Sequence, residues 1–409
     1  MVENISSVIT MPLYSTITHC LFSLGCGGAE RNLVTTVRQL HAHGFHDQHI
    51  VISDFSSPAD LHYEKDLAPL ATIHRADNVS GGLRGNVPRL LRMLPQRLQY
   101  NIIKIQNCLS AIQPDVVHVW SDNAYAAVAA SLLPIRRTLI SWRSMPPVFW
   151  HKMGVRSWRQ WPKTMLDCLL FRMALRNPSV RTACVCRAGG TGYARWLGLT
   201  PEAVVPLYHG MDTTLWQRAS EADILAEKQR LGIPPQNKVI LGLMRFDPAK
   251  RPELWLDVAA HVRKKYGDDL SFLCFGDGPL RAGMMERARQ VGVICPGVTR
   301  NVPLALSMAD IFLHTARIEG LPTVHLEAQL MGTPIVTTDA GGTGETVREA
   351  ITARLVPEQP DMVSALSDTL IAALHDKDFL AQASQEGPRF VKENFSIEQM
   401  IQTTLGLYR

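Results

Sequence analysis

The sequence has no run of about 18 apolar residues, the least that would carry a helix across a bilayer. Its longest candidate, AYAAVAASLLPI, is too short and runs into a proline. The opening MVENISSVITMPLY has neither the basic start nor the continuous apolar stretch of a secretory signal. There is no C-x-x-C pair: eight cysteines are scattered from Cys20 to Cys295, with a single C-x-C at Cys184 and Cys186. That spacing argues against a zinc site or a disulfide frame and for the reduced thiols of a cytoplasmic protein. No short-period repeat is present, and Gly and Pro are scattered rather than clustered. What remains is globular in composition, 46% hydrophobic and 19% charged, and its 409 residues are long enough for two domains.

The net charge of +5 hides an asymmetry. Residues 1–205 carry 21 Lys+Arg against 12 Asp+Glu, whereas residues 206–409 carry 21 against 25. The first half is therefore suited to an anionic partner and the second is not.

Alternating strand and helix signals run along both halves. TITHCLFSL, HIVIS, PDVVHVW, RTLISW and RTACVC read as short buried strands, with helix-length stretches between most of them. The pattern restarts at Lys238 with KVILGLMRF, LSFLCFGDG, VICPG, DIFLHT and TPIVTTDAGG, and a helix is expected over residues 252–266. Two α/β units of this kind predict doubly wound, Rossmann-like parallel sheets. The division falls within residues 206–237, giving domains over 1–205 and 206–388, with a terminal helical segment over 389–409.

In an open parallel sheet, ligands bind beyond the carboxyl ends of the strands. DIFLHT ends near residue 315, so ARIEGLP forms the loop at that edge, with Pro322 suited to open the next helix. Glu319 then sits in the loop and Glu327 roughly 7 Å further along the helix axis. Two carboxylates so spaced can accept hydrogen bonds from hydroxyls on two sugar rings; the plain alternative is a pair of solvated helix-end charges. Arg245 and Lys250 follow the KVILGL strand, FGDGP places Gly276 after the next, and Gly341 and Gly342 follow TPIVTTDA, where backbone N–H groups can approach a phosphate. Carboxylates, cations and glycine turns thus converge on one rim of one sheet.

The ordered set resembles the retaining nucleotide-sugar glycosyltransferases of family 4, which have the GT-B fold: two Rossmann-like doubly wound parallel-sheet domains facing across a cleft. The resemblance covers most of the chain and is strongest over residues 238–348. Its carriers are Glu319 and Glu327, Arg245 and Lys250, Gly341-Gly342 with Glu345, the loop Gly27-Gly28-Ala29-Glu30, and His118 in PDVVHVW. It implies that Glu319 contacts the transferred sugar, that Glu327 binds the ribose hydroxyls, and that Arg245 and Lys250 offset the diphosphate charge in place of a metal. His118 would position or polarise the sugar, completing a catalytic group with Glu319, Arg245 and Lys250. Gly27, Gly28, Gly276, Val298, Leu321 and Pro322 complete the implied donor site. No metal and no cofactor are implied; the nucleotide sugar is a substrate, UDP-linked in preference to GDP-linked. The last helix is expected to cross back to the first domain. Departures stand at His209-Gly210-Met211-Asp212, at Met244 and Gly344, and in Cys26 beside the cleft.

Other patterns are set aside or kept as rivals. GCGGAE starts as a dinucleotide fingerprint but has Glu30 where the third glycine belongs. His41, His43, His46 and His49 straddle a helix end and a turn, which reads as solvation rather than a metal tract. Residues 143–187 hold nine Lys+Arg against the single acid Asp167, interleaved with Trp150, Trp158 and Trp161. Arg84, Arg89, Arg92, Arg97 and Lys104 add to that cationic stretch, which suits an anionic membrane or a nucleic-acid backbone, the plain alternative being a solvated basic helical face; the resemblance to glycosyltransferases favours the membrane over nucleic acid. The expected enzyme is a metal-independent hexosyltransferase acting on a glycan or lipid-linked acceptor in surface polysaccharide or glycolipid assembly, at the cytoplasmic face of a membrane. The rivals are a GT-B epimerase or hydrolase of nucleotide sugars, and a non-enzymatic binder of anionic polymers or membranes.

Overall fold

The computed structural model describes residues 15–25, 27–267 and 269–409; the opening stretch and Cys26 lie outside them. The first sheet contains β1 (Thr16–Leu21), β2 (Asp47–Ile52), β3 (Thr72–Arg75), β4 (Val116–Trp120), β5 (Arg137–Trp142), β6 (Val180–Cys184) and β7 (Val204–Pro206). Its order is β3-β2-β1-β4-β5-β6-β7 and every pairing is parallel. The second contains β8 (Lys238–Leu243), β9 (Leu270–Phe275), β10 (Ile294–Gly297), β11 (Ile311–His314), β12 (Ile335–Thr338) and β13 (Ala353–Val356). Its order is β10-β9-β8-β11-β12-β13, again all parallel. Helices cover both faces of each sheet, so the central strands β4, β9, β11 and β12 are buried at every position and read as unbroken apolar or small-polar runs.

Both sheets reverse their winding beside their first strand, between β1 and β4 and between β8 and β11. Those are the points where a crevice opens at the carboxyl ends. Arg245 and Lys250 follow β8 and Glu319 follows β11, so the second switch point carries the expected chemistry.

Three strands were not expected: β3, β7 and β13. Each is short, lies at or next to a sheet edge and is partly exposed, and β7 ends on Pro206, so none has the long apolar run of a central strand. The helix expected to open at Pro322 instead runs Thr323–Leu330, with Pro322 as its cap. The chain end is two helices, Lys377–Asn394 and Ile397–Tyr408. At the crossing between domains, the Met211 N–H donates to the Phe395 carbonyl (2.8 Å). A side chain at Gly210 would place Cβ 2.7 Å from the Ile397 Cα, so only glycine fits there. Met400, Ile401 and Tyr408 then pack against Ile17, Leu40, Val116, Leu139 and Ala183 of the first domain. Among the described residues no helix is long and apolar enough to cross a membrane.

Candidate functional site

The turn after β8 and the loop after β11 are tied together by Arg251, which takes left-handed backbone angles (φ 51°) at the cap of helix Pro252–Tyr266. Its guanidinium donates to the carbonyls of Thr315 (2.8 Å) and Ala316 (3.2 Å) and pairs with Glu358 (2.8 Å). The Thr315 hydroxyl donates back to the Lys250 carbonyl (3.0 Å). This stitching places the Lys250 ammonium against Oε1 of Glu319, with His314 Nε2 3.2 Å from the same oxygen. Burial alone would raise the Glu319 carboxyl, but Lys250 and His314 outweigh it and hold it at about 2. The site therefore presents an ionised carboxylate and a cation side by side.

Arg245, Gly276 and Val298 meet in a separate open cleft of about 630 Å³ formed by the ends of β8, β9 and β10. Arg245 is exposed apart from a 3.7 Å contact with Asp247, so its charge is available to an anion. Gly276 is required because a Cβ there would lie 2.1 Å from the Met244 carbonyl oxygen. Leu321 and Pro322 are buried.

Glu327 lines a second cavity of about 330 Å³ with Thr323, Gly28, Arg31 and His209. Arg31, the residue after Gly-Gly-Ala-Glu, reaches across from the first domain and donates to Glu327 (3.1 Å) and Thr323 (3.1 Å). Burial raises the Glu327 carboxyl, with Arg31 opposing it. Gly27 caps helix Gly28–Ala42, whose first turn faces this cavity.

Gly341 and Gly342 differ from expectation. The Gly342 N–H donates to the Glu319 carbonyl (3.1 Å), and Cβ atoms at these glycines would strike the carbonyls of Glu319 and Gly320. They let one loop press on another. A Cβ at Gly320 would lie 3.1 Å from the Arg143 carbonyl oxygen and the Ser144 Cα, so the Glu319 loop runs close against the first domain. Beside it, the Glu345 carboxylate accepts from the N–H groups of Arg187 (2.7 Å) and Ala188 (2.8 Å), capping helix Arg187–Leu197 of the opposite domain.

His118 is not brought to this site. It is fully buried within β4, with Nδ1 2.8 Å from the Tyr408 hydroxyl and Nε2 2.7 Å from the Ser141 hydroxyl. Both ring nitrogens are occupied, and the expected sugar-positioning role gives way to a structural one under the last helix. Among the described residues no group of three or more His, Cys, Asp or Glu is arranged to hold a metal; His49 pairs with His74 (2.9 Å) instead of joining a tract. Cys184 and Cys186 are buried thiols.

Sequence reasoning did not single out His314, His325, Arg31 or Arg251. A histidine closing DIFLHT and another two residues before Glu327 were the available signals, but pairing them required the fold. Among the described residues, six of the eleven exposed large hydrophobics lie between residues 90 and 165, including Met93 (79% exposed) and Trp158 (61%). Trp150 is tied down by its indole N–H to the Met145 carbonyl (3.0 Å), while Trp158 and Trp161 both pack on His151 and Trp158 remains the most exposed of the three.

Residues 26–215 match the model of Glycosyltransferase Family 4, and residues 223–390 that of Glycosyl transferases group 1. The chain is 27% identical over 329 residues to the Vi polysaccharide biosynthesis protein VipC/TviE of Salmonella typhi, covering 77% of this chain and 54% of that protein. It thus spans about half the length of that relative. It is 25% identical over 407 residues to EpsF of Bacillus subtilis (strain 168), covering 96% of both. HepE of Anabaena, solved with UDP and glucose, superposes with a TM-score of 0.74 at 16% identity, over 96% of this chain and 99% of that one. The fold is GT-B.

Proposed function

We propose, for a chain of GT-B fold whose two domains each match a glycosyltransferase model, that it is a retaining glycosyltransferase. It moves a hexose from a nucleoside diphosphate, UDP by preference, to a hydroxyl of a glycan or lipid-linked acceptor. The carrying observation is the Lys250–Glu319 pair at the second switch point, with Arg245 one loop away. In the proposed reaction the bond between the anomeric carbon and the phosphate oxygen breaks while the acceptor oxygen bonds on the same face. The acceptor's proton passes to the leaving phosphate, so no protein nucleophile is used. Lys250 and Arg245 offset the charge growing on the diphosphate, which removes the need for a divalent cation. Glu319, ionised, accepts a hydrogen bond from the sugar, and Glu327 accepts from the ribose, sharing or displacing Arg31.

The exposed apolar and cationic side chains between residues 90 and 165 support a membrane setting for the acceptor. Lipid-linked acceptors lie at membranes, and Trp158 and Met93 among arginines suit an anionic bilayer. The proteins similar in sequence include one named for Vi polysaccharide biosynthesis, which supports surface-polysaccharide assembly.

The test is NMR observation of UDP-sugar turnover by the purified full chain, with and without a chelator. The reading expects UDP release with the anomeric configuration kept and no loss on chelation. Inversion sinks the retaining assignment, and loss with chelator sinks the metal-free one. Isomerised sugar without any acceptor would favour a nucleotide-sugar epimerase instead.

A further inference from the structure

Behind Glu319 lies a chain of buried groups that the reading above does not use. His314 Nε2 is 3.2 Å from Glu319 Oε1, His314 Nδ1 is 2.9 Å from His325 Nε2, and His325 Nδ1 is 3.0 Å from the Thr346 hydroxyl. His314, His325 and Thr346 come from β11, helix Thr323–Leu330 and the turn Thr343–Thr346, and all are at most 1% exposed.

A neutral imidazole donates from one nitrogen and accepts at the other, so the row can run in only two directions. With the Lys250 ammonium on it, Glu319 is ionised and its oxygens only accept. His314 must then donate from Nε2, which makes its Nδ1 an acceptor for His325 Nε2–H. His325 Nδ1 in turn accepts from the Thr346 hydroxyl. In the reverse direction both rings would carry Nδ1–H, and Thr346 would donate to the Thr343 carbonyl (2.7 Å). That arrangement aims a His314 lone pair at the carboxylate. Burial keeps both rings from charging, so neither can satisfy two acceptors at once.

We infer that His314, His325 and Thr346 form a one-way hydrogen-bond relay that positions the Glu319 carboxylate. Both protein donors, Lys250 and His314, converge on Oε1. Oε2 takes no protein hydrogen bond among the described residues and is the oxygen held toward substrate. His314 and His325 are positioning residues, acting through Glu319 without touching the sugar. The inference rests on the proposed role of Glu319 and adds what fixes its orientation and its protonation.

The test has an arm that needs no donor. In ¹⁵N-histidine-labelled full-length protein, the resonances that vanish in His314→Asn and in His325→Gln should both belong to Nε2–H tautomers. An Nδ1–H tautomer at either ring overturns the relay. The kinetic arm follows UDP release from UDP-glucose alongside UDP affinity. His325→Leu should lower turnover about 10- to 100-fold, as loss of a positioning contact does, while UDP affinity stays within about twofold. His325→Gln keeps an N–H donor where Nε2 stands and should restore most of that turnover. Unchanged turnover in His325→Leu, equal loss of turnover and UDP affinity, or no rescue by Gln each overturn the inference. If Glu319→Gln itself turns over normally, the proposed catalysis has failed, a result distinct from failure of the relay.

Discussion

Replacing Glu345 with alanine should let the two domains part. Its carboxylate belongs to the second domain but accepts from the Arg187 and Ala188 N–H groups (2.7 and 2.8 Å) of the first and from the Tyr208 hydroxyl (2.9 Å) in the segment between the two. A side chain that caps a helix contributes about 0.5–2 kcal/mol, and a negative charge at a helix start about 0.3–1 kcal/mol more. Cys186 keeps its own cap to the Gly189 N–H (3.2 Å), and the freed N–H groups can turn to water once the domains separate. The net loss is therefore about 1–2 kcal/mol, or a factor of roughly 5–30 in the ratio of closed to open molecules. That loss falls on the closed arrangement alone, because no domain core includes Glu345. Energy transfer between one label on each domain reads the ratio directly, and Glu345→Gln should fall between wild type and alanine. Gly320→Ala, whose Cβ would press on Arg143 and Ser144 at 3.1 Å, serves as the sensitivity control. If Gly320→Ala shifts the label distance and Glu345→Ala does not, the capping contact does not hold the domains together.

Lys250→Met should make the protein more acid-sensitive. The Glu319 carboxyl is held at about 2 against an ordinary 4.5, so its contribution to stability is full above 4.5 and fades as pH falls toward 2. Without Lys250, burial pushes that carboxyl up, and circular dichroism should show acid unfolding beginning at a higher pH than in wild type. Gly276→Ala puts a Cβ 2.1 Å from the Met244 carbonyl oxygen and should destabilise by about 1–3 kcal/mol while closing the 630 Å³ cleft to nucleotide. Gly28→Ala, with nothing within 4 Å of the new Cβ, should melt like wild type in the same thermal scan. Tyr408→Phe strips a hydroxyl from His118 Nδ1 and should cost about 1–3 kcal/mol by urea unfolding, with UDP affinity unchanged. An intact stability with lost turnover would return His118 to the catalytic group.

The parts of this molecule legible in sequence are those written locally. Central strands buried on both faces carry unbroken apolar runs, which is why β4, β8, β9 and β11 could be read and the short edge strand β3 could not. Arg245, Lys250, Gly276 and Glu319 stand just past strand ends, so strand placement alone brings them to one rim. His118 shows the limit: it sits in the middle of the same kind of apolar run, yet its ring points to Tyr408, 290 positions later. Contacts across such separations leave no local pattern. The same holds for Arg31 with Glu327, for Glu345 with the Arg187 helix, and for the His314–His325 pair, whose rings meet only because a helix packs on a strand. The glycines at 341 and 342 mark a different confusion, since a loop that must approach a phosphate and a loop that must approach another backbone call for the same residue.

Whether Glu327 belongs to a nucleotide site is decided by calorimetric titration of UDP, GDP and ADP into the wild type and Glu327→Ala proteins. UDP should bind wild type in preference to the other two, and the alanine variant should lose most of this affinity while melting no more than a few degrees lower. Binding of none of the three to wild type, or UDP affinity undiminished in Glu327→Ala, would contradict that assignment.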